Sequence, residues 1–419
     1  MAAIYLHIPF CRKMCGYCDF FKTARLDRIE SVVEAMGREL EEERGFLTTQ
    51  QISTIYFGGG TPSLLTPQQI GYLMGRIREL YDTSNVSEIT LEANPDDLTH
   101  DYLEAIHKLG INRLSIGVQS FDDETLKFMN RRHTAAEAKE AIEAARAVGF
   151  KNIAIDLIFG VSGFGGERLK RSIAEAVALD VEHIAAYHLT IESGTPFARR
   201  VAKGEFKAVA EEVSEEEYEI VREALTAAGY DHYEISNYAK RGCKSRHNSA
   251  YWSGDEYLGV GAGAHSFSQR GSWGVRRWSS GGLDLYLDES DNKKINIEIN
   301  KTTDKTTDKT TDKTTDKTTD KTTDKTTNDH SSKGGRYESE ELTKIERRNE
   351  IVMTSLRRSV GLDLVAFEEL FGSEERGRLV SDAERSMARG DITIVDNWLR
   401  IPTERFLRSD MIIEELFSL

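Results

Sequence analysis

The chain has 419 residues, with 70 Asp and Glu against 55 Lys and Arg and a formal net charge of −15. That length suits one large domain with a smaller one, or two to three of average size. The acidic balance argues against nucleic-acid binding through the phosphate backbone, which depends on Lys and Arg.

A β-rich run, AIYLHI (3–8), opens the chain. The start MAAIYLHIPF lacks the basic and apolar regions of a secretory signal, and no apolar run is long enough to span a bilayer, so a cytoplasmic chain is expected. The strand leads into HIPFCRKMCGYCDF, where Cys11, Cys15 and Cys18 stand at C-x3-C-x2-C spacing and Phe20 occupies the place of one further cysteine. Three of the four cysteines fall within eight residues. Such crowding suits a metal or redox site better than a disulfide framework. Two metals fit. Structural zinc wants four ligands, usually in two separated pairs; His7 would have to complete a Cys3His set, because the remaining cysteine, Cys243, is far away in sequence. A four-iron cluster is normally held by four thiolates, and three leave one iron open to a small chelating ligand.

Five more strand candidates follow: STIYF (53–57), EITLEA (88–93), NRLSIGV (112–118), NIAIDLIF (152–159) and HIAAYHL (183–189). Helices with legible ends separate them. Thr66, Pro67 and Gln69 supply a cap, a proline at the first helical position and a capping-box partner, after which Ile70, Leu73, Ile77 and Leu80 share one face. Thr99 and Gly110 bracket another helix; Thr134 with Glu137 opens a third, which Gly149 closes. Six β-α units predict a parallel sheet with right-handed crossovers, doubly wound or barrel-like, with function at the C-terminal ends of its strands. The expected fold is α/β, an open partial (β/α)6 TIM-like barrel over residues 1–200.

Residues 201–295 read as an extension of that core. VSEEEYEIVREALTAAGY (213–230) is a helix with a glycine stop, followed by the aromatic-rich YEISNYAKRGCKSRHNSAYW (233–252) and the glycine-rich YLGVGAGAHSF (257–267). The loose GxGxxG in the last of these is a weak dinucleotide signal, since no βαβ unit surrounds it. Residues 301–328 read KTTD six times and then KTTN. With no apolar residue to bury, this tract predicts a disordered linker over 296–335 rather than a stacked repeat. Over 336–419, helical periodicity (342–372), a hairpin in DITIVDNWLRIPT (391–403) and a closing helix (409–419) predict a helical, winged-helix-like module.

HIPFC…CGYCDF, YFGGGTPSLL, GVQSF, DLIFG and HNSAYW, in this order, resemble the radical S-adenosylmethionine (SAM) superfamily. Within it the likeness is to the oxygen-independent coproporphyrinogen III oxidase-like family, and closest to its heme-chaperone branch, HemW. It runs from residue 3 to about 290 and resumes from about 340, leaving the KTTD tract outside. The resemblance implies a [4Fe–4S] cluster on Cys11, Cys15 and Cys18 whose open iron is chelated by SAM, with one-electron cleavage of the sulfonium giving a 5′-deoxyadenosyl radical. It maps Gly59, Gly60 and Thr61 to the methionine end of SAM. Tyr5 becomes a neighbour of that end, with core packing as the other reading, and Tyr17 a neighbour of the adenine. Glu92, Gln119 and Asp156, near one face of the sheet, are assigned to the ribose hydroxyls or the amino-acid part. Arg131 is assigned to the SAM carboxylate, with the adjacent Arg132 leaving the register open. GVSGFGG (160–166) departs from the family's proline-glycine-glutamine-threonine at that loop.

HNSAYW carries His247, Asn248, Tyr251 and Trp252. A histidine beside large aromatics can ligate heme iron and stack on the macrocycle, although packing is the other reading. In the heme-chaperone branch this motif is implicated in heme binding. Cys243 is a second candidate ligand or an ordinary free thiol. Porphyrinogen-decarboxylating members carry a cysteine where Phe20 stands, extend further ahead of the motif, and lack HNxxYW. The resemblance therefore implies a chaperone that binds heme as cargo and passes it to membrane-bound heme proteins, with His247 as axial ligand and peripheral contact at the membrane. The alternatives are a coproporphyrinogen III oxidase making protoporphyrinogen IX and a radical SAM enzyme with an unrelated substrate. The electron donor and a homodimer are left open.

Overall fold

The computed structural model describes residues 1–279, 282–288 and 336–418; the linker expected over 296–335 lies outside these. All six expected strands form: β1 (Ala2–Ile8), β2 (Ile52–Gly59), β3 (Glu88–Ala93), β4 (Arg113–Gln119), β5 (Ile153–Phe159) and β6 (His183–His188). They pair in parallel and in sequence order. Their burial is nearly continuous, as expected where helices cover the outside of a parallel sheet. The covering helices begin where their caps predict. Thr66 and Thr134 each close a capping box, Thr99 accepts from the Tyr102 amide, and Gly149 ends its helix at φ 113°.

The sheet continues past both ends of this core. Strands β7 (Asp231–Glu234) and β8 (Asn237–Ala239) form a hairpin that pairs antiparallel with β6. Beyond β1, β9 (Tyr257–Val260) adds a further parallel strand, then β10 (His265–Ser268), β11 (Val275–Ser279) and β12 (Tyr337–Glu341) follow antiparallel. The order is β12-β11-β10-β9-β1-β2-β3-β4-β5-β6-β8-β7, and among the described residues no pairing joins its ends, so the barrel is open. The glycine-rich YLGVGAGAHSF thus makes β9, a turn and β10. Gly261 holds φ 109°, which glycine adopts without strain, and a Cβ there would also meet the His7 carbonyl.

The C-terminal module has helices Lys344–Leu356, Leu364–Phe371, Ser373–Ala388 and Ser409–Glu414. A small sheet of β13 (Leu362–Asp363), β14 (Thr393–Val395) and β15 (Trp398–Arg400), ordered β13-β15-β14, accompanies them. The helix–helix–hairpin sequence is the winged-helix-like arrangement expected. No described helix is long and apolar enough to cross a membrane.

Candidate functional site

The cysteine loop leaves β1 and is tied to three other segments. The Gly16 amide donates to the Met129 carbonyl (3.2 Å), the Phe197 amide to the Gly16 carbonyl (2.9 Å), and Asn130 Nδ2 to the Met14 carbonyl (2.7 Å). A small apolar cluster that includes Met129, Ile158 and Phe197 packs against Tyr17 and backs the loop. Cys11 is buried, while Cys15 and Cys18 are half-buried; all three are free.

Polar groups converge on the sulfurs. Thr61 Oγ1 lies 3.5 Å from Cys11 Sγ and accepts from Asn94 Nδ2 at 3.4 Å. Arg131 Nη1 donates to Cys15 Sγ (3.4 Å), and its Nη2 to Asn94 Oδ1 (2.7 Å) and the Gly117 carbonyl (2.6 Å). Burial pulls the Arg131 guanidinium pKa down, but Tyr17 and Cys15 beside it outweigh this and raise it. Arg132 turns elsewhere, pairing with Asp96 (2.6 Å) and Asp97 (3.1 Å). A guanidinium and a hydroxyl aimed at cysteine sulfurs suit thiolates. Burial pushes the Cys11 thiol up, so a coordinating cation would be what deprotonates it. Among the described residues no three His, Cys, Asp or Glu side chains converge on a single metal ion. Both His7 nitrogens are engaged, by the Tyr5 hydroxyl (3.0 Å) and the Phe21 carbonyl (3.1 Å). The donor set therefore fits a multi-iron cluster better than Cys3His zinc.

Beside the loop, the glycines after β2 approach β1 closely. A Cβ on Gly59, which holds φ 109°, would lie 2.8 Å from the His7 ring, and one on Gly60 would lie 2.8 Å from the Phe10 carbonyl. The Gly59 amide donates to Glu92 Oε2 (3.0 Å) and the Tyr56 hydroxyl to Glu92 Oε1 (2.8 Å). Burial, aided by Asp156, pushes the Glu92 carboxyl up to about 7. Burial likewise pushes Asp156 up to about 6 against the pull of Arg113 and Arg131. Gln119 ends β4 at φ 69°, a conformation uncommon outside glycine. The fold thus gathers Cys15, Tyr17, Thr61, Arg131 and Glu92 at the C-terminal ends of the strands, with Asp156 midway along β5. The atypical loop 160–166 is held by Glu217, whose Oε2 accepts from the Gly160 amide at 2.7 Å.

Tyr5 and His247 sit in one aromatic cluster, the packing alternative stated for each. Tyr5 stacks on Tyr56 (6.0 Å between ring centroids) and gives its hydroxyl to His7, so it joins an aromatic core cluster. His247 stacks on Tyr56 at 4.8 Å and is only 1% exposed. Its Nδ1 bonds Thr54 Oγ1 (2.8 Å) and its Nε2 the Tyr251 hydroxyl (2.9 Å), while burial pushes its pKa down to about 3. The axial-ligand expectation finds no open nitrogen in this structure. Tyr251 completes this cluster. Asn248 and Trp252 are half-buried, and Trp252 lies at the other end of the short helix Arg246–Ser253. Cys243 is a half-buried free thiol.

Asn94, Tyr56 and Arg113 are absent from the sequence reading. Arg113 was visible as a charge inside an apolar strand; it is 1% exposed, with Nε and Nη1 unpartnered. Asn94 and Tyr56 act through hydrogen bonds that only the fold assembles.

Residues 5–176 match the model of the radical SAM superfamily, which implies a [4Fe–4S] cluster and SAM. A protein described as heme chaperone HemW from Bacillus subtilis is 39% identical over 290 residues, covering 69% of this chain and 76% of that one. Another, from Lactococcus lactis, is 36% identical over 296 residues, covering 70% and 76%. The chain belongs to the HemW family. A solved structure described as coproporphyrinogen III oxidase (HemN) from Escherichia coli, a radical SAM enzyme, superposes with a TM-score of 0.74 at 20% identity, covering 100% of this chain and 90% of that one. At that identity the likeness speaks for the shared fold. HemW family membership accords with the order of motifs from the cysteine loop to HNxxYW, and the open barrel is the one this fold shares with the oxidase.

Proposed function

We propose that this protein is a heme chaperone that carries a [4Fe–4S] cluster on Cys11, Cys15 and Cys18, binds SAM beside it, and passes heme to membrane-bound heme proteins from the cytoplasm. The observation that carries the reading is kinship at 36–39% identity with proteins described as heme chaperones. Phe20, standing where the decarboxylating members have a further cysteine, is 64% exposed and offers no sulfur. When bound, the cluster and SAM supply one-electron chemistry at the sulfonium. The chain's own share is to hold them. Arg131 and Thr61 face the sulfurs, Arg131 is assigned to the SAM carboxylate, Gly59, Gly60 and Thr61 receive the methionine end, Tyr17 flanks the adenine, and Glu92, Gln119 and Asp156 accept from the ribose or amino-acid groups.

A second reading, oxygen-independent coproporphyrinogen III oxidation, is the activity named for a solved structure of the same fold. A paired experiment separates them. Anaerobically reconstituted protein is incubated with SAM, reductant and coproporphyrinogen III, and in parallel is titrated with heme while the absorbance is recorded. Heme binding without porphyrinogen turnover is expected. Turnover to protoporphyrinogen IX would overthrow the chaperone reading.

A further inference from the structure

The helix Arg246–Ser253 has two unlike ends. His247 is sunk among Tyr56, Thr54 and Tyr251. Trp252 instead lines a cavity of about 450 Å³ between the core and the C-terminal module, within the size range of small-molecule sites. Its other walls come from the β10–β11 turn and from helices Lys344–Leu356 and Leu364–Phe371. They are aromatic: Trp273 stacks on Phe371 at 5.6 Å and 11° between planes, and Arg347 lies 4.7 Å over the Phe267 ring. In a chain where acids outnumber bases, no Asp or Glu lines this cavity, while Arg347 and Arg358 do. Arg347 is partly neutralised by Glu350 at 2.9 Å. Arg358 makes no ion pair among the described residues, and its one side-chain hydrogen bond is a long one, 3.5 Å to Ser253 Oγ.

We propose that this cavity is the seat of the heme, with the macrocycle against Trp252, Trp273 and Phe371 and its carboxylates on Arg358 and Arg347. The inference rests on the chaperone reading and deepens it. Aromatic walls favour a flat apolar ring, and guanidinium groups favour carboxylates bidentately. The lining contains no His, Cys, Met or Tyr, the side chains that hold heme iron. The seat therefore grips the ring and its carboxylates and leaves the iron free, which suits cargo that must be handed on. It also gives the HNxxYW motif a division of labour: His247 anchors the helix and Trp252 meets the ligand.

The test titrates heme into the full-length, cofactor-loaded protein and into its Arg358→Glu and Ser272→Glu variants, the second placing a charge on an exposed turn that can fold around it. Each variant is expected to weaken heme binding about tenfold or more, with SAM affinity and melting unchanged, and metal-free protoporphyrin IX should displace heme from the wild type. Wild-type heme affinity in both variants, or no displacement by the metal-free ring, would overturn the seat while leaving the chaperone reading standing. A wild-type protein that binds no heme would instead remove the chaperone reading, and this inference with it.

Discussion

Near neutrality Glu92 of the ligand-free chain is about half protonated, because burial, aided by Asp156, pushes its carboxyl up to about 7 from an ordinary 4.5. Between those values the native state binds more protons than the unfolded one, so Glu92 makes the fold less stable as pH rises through that window. A ligand that donates hydrogen bonds to Glu92 favours the ionised form and expels the proton on binding. SAM affinity of the cluster-loaded protein should therefore rise from about pH 6 to about pH 8 and then level off, and Glu92→Gln should bind more weakly without that rise. Anaerobic calorimetry in buffers of different ionisation enthalpy counts the released proton; a pH-independent wild-type affinity would take Glu92 out of the contact set. Glu92 and Asp156 stand out in the sequence as carboxylates within otherwise apolar strands, and the family resemblance is what assigns them to a ligand. The fate of His247 was not legible. Whether a histidine on a short helix faces ligand or core depends on the helix's rotation, which here is fixed by Glu88 accepting the Arg246 and His247 amides at 3.0 Å.

The six parallel strands could be read from their apolar runs and from the caps and stops between them, each a local signal. The strands that extend the sheet were harder. Strand β9 spans only Tyr257–Val260 and includes a glycine, and β7, β8 and β12 are short or polar, so they exist through pairing rather than propensity. The glycine loop after β2 shows how one element depends on another. The Gly60 amide donates to the Ile8 carbonyl at 2.9 Å, and a Cβ there would lie 2.8 Å from the Phe10 carbonyl and 2.9 Å from its nitrogen. Both are backbone atoms on the path into Cys11. Gly60→Ala should cost about 1–3 kcal/mol, as overpacking does, and sharply lower the iron retained after reconstitution. Gly75→Ala is the control. It sits in the helix Pro67–Leu80 with open space around it, so it should stabilise by about 0.5–1 kcal/mol and leave iron content unchanged. Equal iron retention in the two variants would show that the close approach is incidental.

At the scale of the whole molecule, the segments on either side of the KTTD tract, 282–288 and 336–341, meet on Glu39 of the helix Ile29–Glu42. Glu39, fully buried, accepts from the hydroxyls of Tyr286 and Tyr337, from Arg336 Nη2 (3.3 Å) and from the Gly261 amide (2.9 Å). Arg336 also pairs with Glu42 at 3.1 Å. Sheet, helix and both flanks of the KTTD tract are thus joined at one carboxylate. Removing residues 296–330 and joining the flanks by a short Gly-Ser linker should change stability by less than about 1 kcal/mol, in the stabilising direction, because a shorter loop costs less entropy to close. Iron content, SAM affinity and heme affinity should stay at wild-type levels. Glu39→Ala should behave oppositely, costing about 3 kcal/mol or more, since it strips a buried guanidinium of a carboxylate partner. Thermal denaturation of the two variants side by side decides the matter: a deletion that melts as low as Glu39→Ala would mean that the repeat packs on the core and that Glu39 is not sufficient to hold the two flanks together.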